Sequence, residues 1–175
     1  MKAIVKMLAG HVDDEKLTVE QRSRIRTELV LAYIGLGMLK DAVRLYGSER
    51  PETSRLSMQD AFNYGMAEWG LVGEPQRDMF EPAVKGMSAD RAARSANYSQ
   101  CLAIALHVFG KDHDAIEYIS KAEEIMCKRT PWSEFSCWRY LTVDAREFSK
   151  DCQEIRNYIL HGRGAPAMFA HKGSN

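Results

Sequence analysis

NYSQCLAIALHVFGKDHDAIEYISKAEEI, residues 97–125, is the stretch whose reading decides the fold. In its first half Tyr98, Cys101, Leu102, Ala105, Leu106 and Phe109 fall at i, i+3, i+4, i+7, i+8 and i+11. Only a helix puts such positions on one face. Gly110 follows the last apolar residue, where a left-handed helix end favours glycine. Acid then gathers at the start of a second helix, in Lys111-Asp112-His113-Asp114. Ala115, Tyr118, Ile119, Ala122 and Met126 form its apolar stripe. Two helices joined by so short a turn must pack closely, and Ala115 and Ala122 permit it. The segment is an antiparallel helical hairpin.

Residues 29–46, LVLAYIGLGMLKDAVRLY, echo this pattern. Gly37, Gly73 and Gly110 lie 36 and 37 residues apart, and Ala42 precedes Ala115 by 73. One further step of 37 from Ala115 reaches Cys152, another small residue in a helical segment. Such a fixed period marks a repeat architecture. Four hairpins are expected, at about residues 18–48, 54–86, 89–127 and 131–161. A short N-terminal helix at 2–10 precedes them, and a flexible tail at 162–175 follows.

The hairpin resembles a tetratricopeptide repeat. The positions that carry the likeness are Ala103, Leu106, Gly110, Ala115, Ile119 and Ala122, with Tyr33, Gly37, Ala42 and Tyr46 in the earlier copy. The resemblance implies an all-α fold, a right-handed α-α superhelix of about four antiparallel hairpins in one domain, 1–161. Two copies depart from the pattern. In the second, Pro75 and Pro82 fall near helix B, and the alanine position holds Asp78 or Met79. In the fourth, Glu147 stands where glycine is expected.

At 175 residues, 45% apolar and 27% charged, the chain is one ordinary globular domain. Its 24 Lys and Arg balance 24 Asp and Glu, which disfavours nucleic acid or an anionic membrane as partner. Cys101, Cys127, Cys137 and Cys152 show neither CxxC spacing nor a paired His, so free thiols in a reducing compartment are expected ahead of a disulfide or metal site. Lys6 interrupts the apolar run at the N-terminus, and no stretch reaches the ~20 apolar residues of a membrane span. These features point to the cytoplasm.

Along the chain, Ala3, Ile4, Met7 and Leu8 give the first helix its apolar side. Residues 11–16 either link it to the next or continue it. Thr18-Val-Glu-Gln21 reads as a capping box for the first long helix. Ile25, Leu29, Ala32, Tyr33 and Leu36 are its stripe, and its short partner ends near Gly47-Ser48. Ala61, Phe62, Gly65, Met66 and Trp69 form the second stripe. Pro75 suits a first helical turn, and Pro82 either kinks the following helix or shortens it. Ser88 is the expected cap of the third hairpin. Thr130-Pro131 is the expected start of a fourth first helix, with Phe135, Trp138, Leu141, Ala145 and Phe148 as its stripe. Met168-Phe169 in the tail is a candidate for docking on the solenoid or a partner.

Stacked first helices make a concave trough. Carried over from the family, its lining is Arg24, Thr27, Leu31 and Ile34, then Asp60, Asn63 and Ala67, then Asn97, Gln100, Ile104 and His107, then Glu134, Cys137 and Leu141. The predicted groove residues are Arg24, Thr27, Leu31, Asn63, Asn97, Gln100, Ile104, His107 and Leu141. Carboxamides such as Asn63, Asn97 and Gln100 can donate to and accept from a peptide backbone. Leu31 and Ile104 offer apolar contacts. The Lys, Arg and Asn set with which some tetratricopeptide proteins grip a chain terminus is missing. His11 and His113 read as solvated, and His107 has no acid or cysteine at matched spacing. Arg22, Arg24 and Arg26 splay around a helix instead of forming a stripe. Trp69 and Trp138 belong to core stripes, while Trp132 is the candidate for an exposed interface anchor. No phosphate loop, HExxH, GxSxG or EF-hand pattern occurs. No catalytic residue, metal or cofactor is expected.

The expectation is a non-enzymatic adaptor or chaperone that binds a peptide or helix of a protein partner in its concave groove. Small bacterial secretion chaperones are similar in size and repeat type. The alternative is a structural subunit, in a homo- or hetero-oligomer, that uses its outer faces and C-terminal tail. A nucleic-acid or small-ligand sensor ranks below both.

Overall fold

Thr18 opens the first long helix as a full capping box: its side chain accepts from Gln21 N, and the Gln21 side chain accepts from Thr18 N. In the computed structural model, which describes residues 2–86, 89–92, 94–128, 132–162 and 164–166, the elements follow one another as neighbours in space. Helix α1 (Lys2–Leu8) runs into a 3-10 turn at Ala9–His11 and so stops short of α2 (Val19–Gly35). Then come α3 (Leu39–Arg44), α4 (Met58–Val72), α5 (Arg77–Gly86) and the single turn α6 (Ala89–Ala92). Helices α7 (Ala96–Val108) and α8 (Asp112–Cys127) form the central hairpin, and α9 (Ala145–His161) closes the chain. The result is a mostly helical fold of consecutively stacked helices.

Gly37 and Gly110 end their helices with the same hydrogen bonds. Met38 N donates to Tyr33 O and Lys111 N to Leu106 O, each across a glycine at φ 74° or 73°. Such a left-handed end satisfies the last carbonyls and reverses the chain. Gly73 differs, since it is itself the cap of α4, at φ 91°. In the α7–α8 hairpin Ala103, Ala105, Ala115 and Ala122 are fully buried, and such small side chains let packed helix axes approach closely. Gly65 does the same for α4 and α5: a Cβ there would sit 2.9 Å from Met79 Cβ. Helix α5 continues past Pro82 for a total of 10 residues.

The fourth unit corrects the expectation of a fourth helical hairpin. In place of a first helix, Ser133–Ser136 (β1) and Leu141–Asp144 (β2) pair antiparallel, with Phe135 opposite Thr142. The supposed helical stripe is split between this hairpin and α9. Asp144 then caps α9, accepting from Glu147 N at 2.9 Å. Trp132 is also corrected: it is buried and packs edge-on against Phe148, with ring centroids 4.7 Å apart. The chain after α9 is not free throughout, because Gly164 O accepts from Trp69 Nε1 and from the Tyr158 hydroxyl, and Pro166 is buried. Ser88, Thr130-Pro131 and Met168-Phe169 lie outside the described residues.

Candidate functional site: a trough with a deep end

Three helices and the β-hairpin wall a trough. From α2 come Glu28, Leu31 and Ala32, one helical turn apart; from the hairpin come Tyr140, Leu141 and Thr142. Together they line an outer cavity of about 390 Å³. Behind it an inner cavity of about 80 Å³ is lined by Met58, Phe62 and Asn63 of α4, Tyr98 and Cys101 of α7, and Cys137. Gln59, Asn97 and Phe135 line both, so the two adjoin.

The hairpin wall is fixed from three directions. The Glu134 carboxylate accepts from Ser95 Oγ at 2.6 Å and from Asn97 N at 3.0 Å, placing a negative charge at the N-terminus of α7. Arg139 grips Asp151 of α9 with a fork of bonds and also reaches Glu147. Burial pushes the Asp151 carboxyl upward, and the Arg139 guanidinium and Ser136 hydroxyl pull the other way. From α7, Gln100 Oε1 accepts from Cys137 N at 3.3 Å. At the corner Tyr140 takes φ 56°, a conformation that is strained for a bulky residue. Its ring is nonetheless buried edge-on to Phe135, and its hydroxyl donates to Asn63 Oδ1 at 3.3 Å. The other end of that carboxamide, Asn63 Nδ2, is buried and has no partner among the described residues.

Four of the nine predicted groove residues meet here: Leu31, Asn63, Asn97 and Leu141. The other five do not. Arg24 is exposed on α2 and lines neither cavity. Thr27 turns its hydroxyl back onto Ser23 O. Gln100 and Ile104 are buried, 0% and 3% exposed, which corrects their assignment to an open surface. The cause is that α7 is covered by α5, α6, α8, α9 and β1 together, so its supposed solvent face is core. His107 lies ten residues beyond Asn97, about 15 Å along the helix. It belongs to a different cavity, with Trp69, Gly73 and Tyr158, and its Nδ1 is 2.7 Å from Asp112 Oδ1. Leu141 reaches the trough from a strand, not from the helix expected. Glu134 and Cys137 serve as a helix cap and a core thiol.

Glu28, Met58, Gln59, Tyr98 and Tyr140 line the trough without having been expected there. One signal was present. Asp144-Ala-Arg-Glu147 reads as a helix start, and it divides the expected stripe, with Phe135, Trp138 and Leu141 before it and Phe148 after it. All four cysteines are free thiols, and only Cys127 is exposed. Burial raises the Cys137 thiol and pushes Cys152 up to about 12. No helix among the described residues is long and apolar enough to cross a membrane. No family model, curated protein or solved structure matches this chain, so the tetratricopeptide family is not shown, and sequential helix stacking is what stands.

Proposed function

We propose that the chain is a cytoplasmic, non-catalytic adaptor or chaperone of tetratricopeptide-like build. It holds an extended peptide segment of a partner protein in the trough between α2, α4, α7 and the β-hairpin. The observation that carries this reading is the meeting of Leu31, Asn97 and Leu141 around one open cavity. Carboxamides of Gln59 and Asn97 beside the apolar Leu31, Phe135 and Leu141 suit a chain that brings both backbone polar groups and side chains. Leu141 is 38% exposed, enough to meet a partner.

Panning a random peptide display library on the intact protein tests the reading. Enriched peptides should bind the native chain and lose at least tenfold in affinity on Leu31→Glu or Leu141→Glu. If no peptide enriches, or if those variants bind equally well, the trough is not the working surface.

A structural-subunit role is the second reading. Leu71, Val72 and Leu160 are exposed by 41%, 58% and 55%, where the ends of α4 and α9 meet at Gly164. Sedimentation of the native chain and of a Leu71→Glu, Leu160→Glu variant separates the two. Self-association lost in the variant favours assembly.

A further inference from the structure

The inner cavity brings two of the four cysteines together. Cys101 of α7 and Cys137, the first residue after β1, both line it. Cys101 is also the hydrogen-bonding neighbour of the Cys137 thiol. We propose that the two form a redox-modification site, which closes to an intramolecular disulfide under a small peroxide and reopens under thiols. The proposal stands whether or not the trough binds a peptide.

Gln100 sets which thiols pair. Its Oε1 lies 3.7 Å from Cys137 Sγ and its Nε2 lies 3.5 Å from Cys152 Sγ, so the carboxamide spans the space from one sulfur to the other. Cys152 does not line the cavity, and Cys127 is exposed at the end of α8. Cys101 Sγ faces Asn97 Oδ1 at 3.7 Å. Thiols are weak donors, so little is lost when these protons leave. Access is the second point. At about 80 Å³ the cavity is several times the ~10–15 Å³ that a water requires. Hydrogen peroxide, hardly larger than a water, fits, whereas a bulky aromatic thiol reagent does not. The cavity adjoins the open outer one along Gln59, Asn97 and Phe135.

Hydrogen peroxide is the oxidant. Cys101 is the more exposed of the pair, at 8% against 2%, and reacts first. Its sulfur attacks one peroxide oxygen, the O–O bond breaks, and a sulfenic acid and one water result. Burial first, and then the neighbouring Cys101, hold the proton on Cys137, which makes it the resolving thiol. Its sulfur attacks the Cys101 sulfur. The S–O bond breaks as the S–S bond forms, and the Cys137 proton leaves with the hydroxyl as a second water. Disulfides in a reducing compartment are usually transient and redox-sensing. This one ties α7 to the corner of the hairpin that walls the trough.

The test uses the full chain carrying Cys127→Ser, which removes the exposed thiol. It is treated with hydrogen peroxide, its remaining thiols are alkylated, and non-reducing peptide maps are read by mass spectrometry. The main product should be a Cys101–Cys137 cross-link that dithiothreitol reverses. In a further Cys137→Ala variant, dimedone should instead trap a sulfenic acid on Cys101. The cross-link itself is read with both cysteines in place, so it decides even if that variant does not fold. Oxidation repeated in urea below the unfolding transition checks the route, and its rate should stay within about twofold. A rate that climbs steeply with urea from the outset overturns the proposal, because the thiols would then react only in an opened core. So does a cross-link through Cys152. So does a pair still reduced after about 100-fold the peroxide exposure that oxidises Cys127 in the native chain.

Discussion

Replacing Arg139 by Met tests what seats the β-hairpin on the helices. The Arg139 side chain is 29% exposed, whereas Asp151 is fully buried. Removing the cation therefore strands a carboxylate that has no route to water. Breaking a buried pair from one side costs ~3–5 kcal/mol. The stranded Asp151 can escape by taking a proton, which caps the penalty. From an unfolded carboxyl near pKa ~3.9, protonation at pH 7 costs roughly 4 kcal/mol. We expect a loss of about 3–4 kcal/mol at pH 7. In the variant Asp151 has a folded pKa raised above its unfolded one. Its stability is therefore fullest below the unfolded pKa and declines as pH rises through the folded one. At pH 4.5 the same penalty should fall to roughly 1 kcal/mol. The reverse change, Asp151→Asn, leaves Arg139 paired with Glu147 and near solvent, so it should cost less, about 1–2 kcal/mol. Urea unfolding at both pH values, read by tryptophan fluorescence, measures all three. A loss below about 1 kcal/mol for Arg139→Met at pH 7 would refute the argument. So would a penalty independent of pH, or Asp151→Asn being the worse variant.

Other consequences can be checked directly. Gly65→Ala should destabilise by about 1 kcal/mol, because overpacking against the buried Met79 and Phe80 outweighs the gain in helix propensity; a raised Tm would contradict this. Glu134→Ala should cost about 1–2 kcal/mol in a urea melt and speed amide exchange at the hairpin, since it strips a charged cap from α7; unchanged exchange would show that the cap does not hold the hairpin. With Ellman's reagent at pH 8, the native chain should release one fast thiol, Cys127, and four after denaturation; two or more fast thiols would mean that the core around Gln100 opens readily.

The sequence by itself determined what neighbouring residues settle among themselves. The Thr18 capping box, the matching stops at Gly37 and Gly110, and the alanine seam of α7 and α8 all depend on bonds or contacts within a few residues or across one tight turn. Periodicity likewise located α2, α4, α7 and α8. It could not tell which side of α7 stays wet, because that depends on how many other elements cover it, and five of them bury Gln100 and Ile104. Nor could it find the β-hairpin. Phe135, Trp138 and Leu141 satisfy a helical spacing as well as a strand–turn–strand, and short apolar runs are ambiguous between the two. Contacts distant in sequence decided it: Glu134 on Ser95, Cys137 on Gln100 and Tyr140 on Asn63 lie 39, 37 and 77 residues apart. Those bonds exist only once the helices have assembled, so the trough they complete is a property of the tertiary structure.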